Sequence, residues 1–349
     1  MANLNEQRIG KKWPRTEDRD GCVEVSVVES EELWLQDGSI IIRTTSHDLP
    51  QVHTLYKIHK YVLSLHCAFF SSLFDGPVGA LDAGSEQHDG CPIMDLPDDP
   101  EDVRNFLMAL YFPAETHLHV AALCADRQDV ESGDLFPQSY FGILRLAHKY
   151  EASSIRKLVV EALEAQWPSE LDDWTDMRED RGRLQLWKRV KPLPLPDKVI
   201  RLAFDCNVPS VLPAAFYDLA CIIDANAQSG SKELRQAELT LLSADELSKL
   251  LRGKAAIRGH LIRLIEDTAQ NQRGWPGCDP EICRPSAFEQ YWYLECASAL
   301  SDASLLSWFS HCVEGLDFDD ASGPCKNCKI KLEAHLLRSR ADLWKGLSS

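Results

Sequence analysis

A single proline-rich stretch, Lys191-Pro-Leu-Pro-Leu-Pro196, divides this chain into two stretches of different periodicity. Ahead of it, short alternating or continuous apolar runs are mixed with helical patterns. Beyond it, only helical spacing occurs. Alternation with a period of two marks a half-buried strand, and recurrence at three and four residues marks an amphipathic helix. The chain is therefore expected to fold as an α+β domain followed by an all-α domain, and 349 residues suits two domains.

The N-terminal part begins with residues 1–21, polar, mixed in charge and expected as a disordered tail. From Cys22, Val23, Val25 and Val27 alternate with Glu24 and Ser26, which reads as a strand. Asp37-Gly38 supplies a turn before Ser39-Ile40-Ile41-Ile42, and Leu55 to Ile58 reads as a third strand feeding a helix. Two short helices follow, one with Tyr61, Val62 and Leu65, the next with Phe69, Phe70, Leu73 and Phe74. Gly76 to Gly90 reads as a loop, and Pro92 to Leu96 as a brief strand. Asp98 or Asp99 caps the next helix, Pro100 suits its first turn, and Glu101 and Asp102 favour its positive end. Pro113 stops it, residues 114–138 read as an acidic insertion, and two helices close the region on Phe141, Leu144 and Ala147, then Ile155, Val159 and Leu163. Residues 22–167 thus form the α+β domain and the charged stretch 168–195 a linker.

Residues 196–349 form the helical domain. Asp197 caps one helix, Pro213 opens another, and Ser243-Ala-Asp-Glu246 and Ser286-Ala-Phe-Glu289 are capping boxes. A last helix from Cys328 carries Leu332, Leu336, Leu343, Trp344 and Leu347 on one stripe.

Composition narrows the function classes. Acidic residues number 54 against 37 basic ones, a formal charge of −17, so the chain as a whole repels nucleic-acid phosphates and direct binding to them is not expected. No run of about 18 apolar residues suggests a membrane helix, and residues 1–20 lack the apolar stretch of a signal peptide. A cytoplasmic or nuclear address is the expectation, and in that setting the 12 cysteines read as thiols or metal ligands.

The segments Asp37 to Ile42, Tyr56-Lys57-Ile58-His59-Lys60-Tyr61-Val62-Leu63 and Phe69 to Phe74 resemble the BTB/POZ domain. His59-Lys60 stands at that family's Val-His-Lys-type position, and Cys67-Ala68-Phe69-Phe70 stands where Ser-x-x-Phe is usual. Ile93 to Leu96 with Val103 to Tyr111 is similar to its third strand and following helix, and Leu144 to Tyr150 with Ile155-Arg156 to its terminal helix pair. The whole chain looks like the expanded BTB family of mushroom-forming fungi, on Ala203 to Pro213 and on Cys325, Cys328, Arg340 and Trp344.

The resemblance implies a non-enzymatic scaffold or transcriptional co-regulator that forms a homodimer and recruits other proteins. The dimer interface it implies holds Tyr61, Val62, Leu65, Phe69, Phe70, Leu73 and Phe74, with the Val23-Val25-Val27 strand pairing across it. A substrate adaptor for a cullin-type ubiquitin ligase is the alternative. The apolar-x-Glu element common to cullin recruiters is incomplete here, since Glu86 has no apolar residue two places before it.

Three residue sets are candidates for chemistry. His59 lacks a Ser, Cys or Asp placed by spacing as partner, and reads as a hydrogen-bonded histidine pinning the strand-to-helix junction. His117 and His119 could reach one metal from a strand, but two histidines without further ligands read as solvated loop. Cys278 with Cys283, and Cys325 with Cys328, offer four thiolates to a structural zinc, the one cofactor expected. Buried thiols remain the alternative reading, and a Cys325/Cys328 redox dithiol the remote one.

Overall fold

The computed structural model describes residues 26–46, 51–75, 86–124, 138–177, 195–229, 237–270, 292, 305–314 and 325–347. The chain divides into two compact units: Met1–Ala165 with Arg189–Lys191, and Gln166–Lys188 with Pro192–Ser349. The first is α+β. The second is helical throughout its described residues.

In the first unit five strands, β1 (Ser26–Trp34), β2 (Ile40–Thr45), β3 (Val52–Ile58), β4 (Gln87–His88) and β5 (Cys91–Asp95), form one sheet in the order β1-β3-β2-β5-β4. β2 and β3 are an antiparallel pair with Ile40 opposite Ile58, while β2 runs parallel to β5 and β1 parallel to β3. Ile40, Ile41 and Ile42 are all fully buried, so the middle strand has lost the in-and-out alternation and is covered on both faces. One face packs Ile41, Leu55, Cys91 and Ile93 against Val27 and Trp34. Gly38 makes the turn into β2 possible: a β-carbon there would lie 2.8 Å from Lys57 Cγ and 3.0 Å from the Leu35 carbonyl oxygen.

β1 takes up the first expectation at Ser26 and Val27 and extends it. The strand runs through the polar Ser30-Glu31-Glu32 segment to Trp34, and Val23 and Val25 lie outside the described residues. It pairs within its own chain, Val27 opposite His53, and its register shifts between Glu29 and Trp34.

Helices α1 (Lys60–His66) and α2 (Ala68–Phe74) follow β3, and α3 (Pro100–Tyr111), α4 (Pro113–Cys124), α5 (Ser139–Lys149) and α6 (Ser153–Gln166) follow β5. Asp99 caps α3, accepting from the backbone N–H groups of Glu101 at 2.9 Å and Asp102 at 3.2 Å. Asp98, the other candidate, instead accepts from Lys149 Nζ at 2.6 Å and from the Tyr150 hydroxyl. Pro113 ends α3 only by opening α4, where its missing N–H costs nothing. The insertion therefore begins as a helix rather than a loop, and residues 125–137 lie outside the described residues. α3 and α5 cross closely at Gly142, where a β-carbon would run into the Asp102 carboxylate.

The second unit contains α7 (Pro196–Asp205), α8 (Leu212–Ser229), α9 (Ala244–Gln270), α10 (Leu305–Glu314) and α11 (Lys326–Leu347). The Ser243–Glu246 capping box is made in both directions, Ser243 N–H to Glu246 Oε2 at 2.7 Å and Glu246 N–H to Ser243 Oγ at 3.3 Å. Asp197 is not a cap: Leu195 holds that position, and the buried Asp197 accepts from the Glu238 N–H at 2.8 Å. The Ser286–Glu289 box lies outside the described residues.

Residues 168–177, expected as linker, belong to this unit, and 171–177 are helical with Trp174 and Met177 buried. Trp344 on α11 stacks on Trp174 with centroids 5.8 Å apart, and its indole N–H donates to the Ser169 carbonyl at 2.6 Å. Arg340, one turn earlier, donates to the Thr175 hydroxyl. The Arg-x-x-x-Trp motif is thus a clamp on the segment that opens the unit. Residues 178–194 lie outside the described residues.

Candidate interaction surface

α1 and α2 are short, and each buries little. Leu63 is the one buried residue of α1, and Phe70 the one of α2. The backbone leaves the helical region at Cys67, whose buried thiol is pushed up to about 12 by desolvation. Spacings of four then place Tyr61 with Leu65 on one helix and Phe69 with Leu73 on the next. Tyr61 is 73% exposed and Leu65 60%; Phe69 and Leu73 are exposed as well. Val62 and Phe74 are half-buried.

Phe70 departs from the expected interface set. At 1% exposure it is core, stacked on Tyr150 at 4.8 Å and on Phe74 at 6.0 Å. Its aromatic neighbours fix the helix from inside: Phe69 and Phe106 also reach Tyr150, at 5.4 and 6.1 Å. Seven apolar residues in two short helices read alike in sequence. Only the position of the Cys67 break decides which of them turns inward.

His59, at the junction of β3 and α1, is held from two sides. The Tyr111 hydroxyl accepts from its backbone N–H at 2.9 Å and lies 3.0 Å from Nδ1, while Nε2 lies 3.1 Å from Asp37 Oδ1. Nε2 faces the Asp37 carboxylate, which can only accept, while the Tyr111 hydroxyl donates to or accepts from Nδ1 according to the tautomer. A backbone hydrogen bond, and then His59, lower the Asp37 carboxyl below its ordinary value. Burial pushes the Tyr111 phenol up, so it keeps its proton and is no activated nucleophile. The junction reading holds, but sequence spacing missed both partners. The hairpin register could have supplied one, because Ile40 opposite Ile58 brings the Asp37 turn beside His59. Lys60 is set by the same register, its N–H donating to Ser39 Oγ at 2.9 Å.

The remaining candidates do not join this surface. Glu86 forms an ion pair with Arg43 at 2.7 Å, and Arg43 also grips Asp95, holding its carboxyl below the usual range. His117 is exposed on α4, and His119 follows on the same helix rather than on a strand. Cys325 is half-buried beside the start of α11 and Cys328 is buried on it. Cys278 and Cys283 lie outside the described residues. Among the described residues no group of three or more His, Cys, Asp or Glu is placed to hold a metal ion, and no helix is long and apolar enough to cross a membrane. Compared with protein-family models, curated proteins and solved structures, the chain matches none.

Proposed function

We propose that this chain is a non-enzymatic interaction and dimerisation protein, a BTB-like scaffold in which the outer face of α1 and α2 meets the same face of a second copy. The observation that carries the reading is the exposed stripe Tyr61, Leu65, Phe69 and Leu73. Soluble monomers seldom leave such contiguous apolar surface open to water. Charge selects the partner. A chain of net charge −17 repels its own copy at most approaches, yet Lys60 to Phe74 contains no Asp or Glu. A face without carboxylates, built of two short helices, suits a two-fold contact in which each copy presents the same patch. The order of elements also supports the reading: β2, β3, the pair α1–α2, β5, α3 and the closing pair α5–α6 follow one another as the BTB resemblance implies, with β1, β4 and α4 added to them.

Light scattering on the full chain tests this. The expected result is a dimer that persists to micromolar concentration, and a monomer when Tyr61→Asp and Leu65→Asp are combined, with the far-ultraviolet spectrum unchanged. A wild-type monomer at tens of micromolar, with no concentration dependence, overturns it.

A further inference from the structure

A second surface lies on α11, and its chemistry is opposite. The inner face of that helix is buried through Cys328, Leu332, Leu336, Leu343 and Trp344. Its outer face carries Ile330, Ala334, Leu337 and Ala341 at the spacing of a second apolar stripe, with Ile330 56% exposed and Leu337 45%. Six basic residues, Lys326, Lys329, Lys331, Arg338, Arg340 and Lys345, lie on this one helix against Glu333 and Asp342, in a chain whose net charge is −17. Lys326, Arg338 and Lys345 are exposed and stand in no ion pair among the described residues.

A solvated helix face in an acidic protein would normally neutralise its cations locally. α9 does so. It too exposes Leu251 and Ile262, but Lys254 and Arg258 both reach Asp224 on α8, at 2.7 and 3.8 Å. On α11 an apolar stripe coincides with a cationic rim of the sign opposite to the whole chain.

We propose that the outer face of α11 docks an acidic amphipathic segment of another protein. Ile330 and Leu337 receive the apolar residues of that segment, and Lys326, Arg338 and Lys345 meet its carboxylates. This is the groove-and-helix mode of recognition, with charge steering the encounter and apolar contact holding the complex. An anionic membrane surface is the less favoured occupant. The stripe holds two large aliphatic residues and no aromatic one, and the net charge of the chain opposes approach to anionic lipid.

The test uses the full chain and a labelled synthetic helical peptide with leucines at i, i+4 and i+7 and glutamates along both flanks. Fluorescence anisotropy should show saturable binding that weakens as salt rises from about 0.05 to 0.5 M. Ile330→Asp with Leu337→Asp, and separately Lys326→Glu with Arg338→Glu and Lys345→Glu, should each weaken binding roughly tenfold or more. Tyr61→Asp with Leu65→Asp should leave it unchanged, which separates this surface from the dimer face. A peptide of the same composition with its leucines scattered should bind at least about tenfold more weakly. The proposal is overturned by absent peptide binding, by equal binding of the scattered peptide, or by charge-reversed protein that binds as well as wild type. Sedimentation with phosphatidylserine vesicles, lost in the same variants while the peptide fails to bind, also overturns it and assigns the face to a membrane.

Discussion

The two units close themselves in different ways. The first is fastened by polar pins around a small sheet: His59 between Asp37 and Tyr111, Arg43 between Glu86 and Asp95, and Asp98 gathering Lys149 and Tyr150. The second is fastened by aromatic contact, with Trp344 on Trp174, Tyr217 beside both, and Tyr217 accepting from the Leu306 N–H at 2.8 Å. Polar pins of this kind are half-exposed and each is worth little alone. A buried indole that both stacks and donates is a single point on which a unit depends. The two designs make different predictions for single substitutions.

The sharpest break should come at the aromatic clamp. Trp344→Ala removes a buried side chain and leaves the Ser169 carbonyl without its donor, a cost of roughly 3–5 kcal/mol. Hydrogen exchange should show the loss of protection in α11 and 169–177 while α3 and α5 keep theirs. Uniform loss across both units would refute the independence of the two closures.

Next comes the tightest point of the first unit. Gly142→Ala must displace the Asp102 side chain, and with it the Arg145 ion pair, at a cost of about 1–3 kcal/mol. The urea midpoint of the first unit should fall and that of the second should not. An unchanged midpoint would mean that the seam yields freely.

A smaller effect is expected at a helix cap. Asp99→Ala frees the N–H groups of Glu101 and Asp102 and should cost about 1 kcal/mol, read by the same urea titration.

Acid should separate the units by sign and window. Burial between α9 and α11 holds His260 and His335 below the ordinary histidine value of 6.5, and His260 Nε2 lies 2.8 Å from Ser339 Oγ. The unfolded chain then binds protons that the folded unit refuses. The stability these residues give is complete above about pH 6.5 and declines as pH falls below it. In the first unit burial lowers one such histidine, His53, while Asp95 keeps its contribution until pH drops below the ordinary carboxylate value of 3.8. Tryptophan fluorescence should therefore show the second unit weakening more between pH 7.5 and 5.5, and His260→Gln should flatten that slope. Equal decline in both units would break the comparison.

What the sequence revealed follows the same physical line. Buried periodicity and end chemistry were legible: the continuous apolar Ile40–Ile42, the Asp99-Pro100 start and the Ser243–Glu246 box all took the form expected of them. The continuation of β1 past Val27 was not legible because it is an edge strand, exposed along much of its length and broken by a register shift, so it shows no clean alternation. Residues 171–177 read as linker because acidic residues surround the buried Trp174, whose partners Tyr217 and Trp344 come from far along the chain. The His59 contacts are tertiary, reaching back to Asp37 and forward to Tyr111, and no local spacing encodes them. Phe70 shows the limit at the candidate surface: pattern identified an apolar helix pair, and only packing against Tyr150 distinguished anchor from face.

The clamp at Trp344 also bears on how the protein is made. Its indole meets a carbonyl 175 residues upstream, so a ribosome translating roughly 5–20 residues per second keeps Ser169 and Trp174 waiting about ten to thirty seconds for their partner. During that interval the first unit has all of its described strands and helices in hand, whereas Trp174 stands without the indole that will stack on it. Synthesis order therefore makes the second unit the one whose opening segment waits longest for its partner.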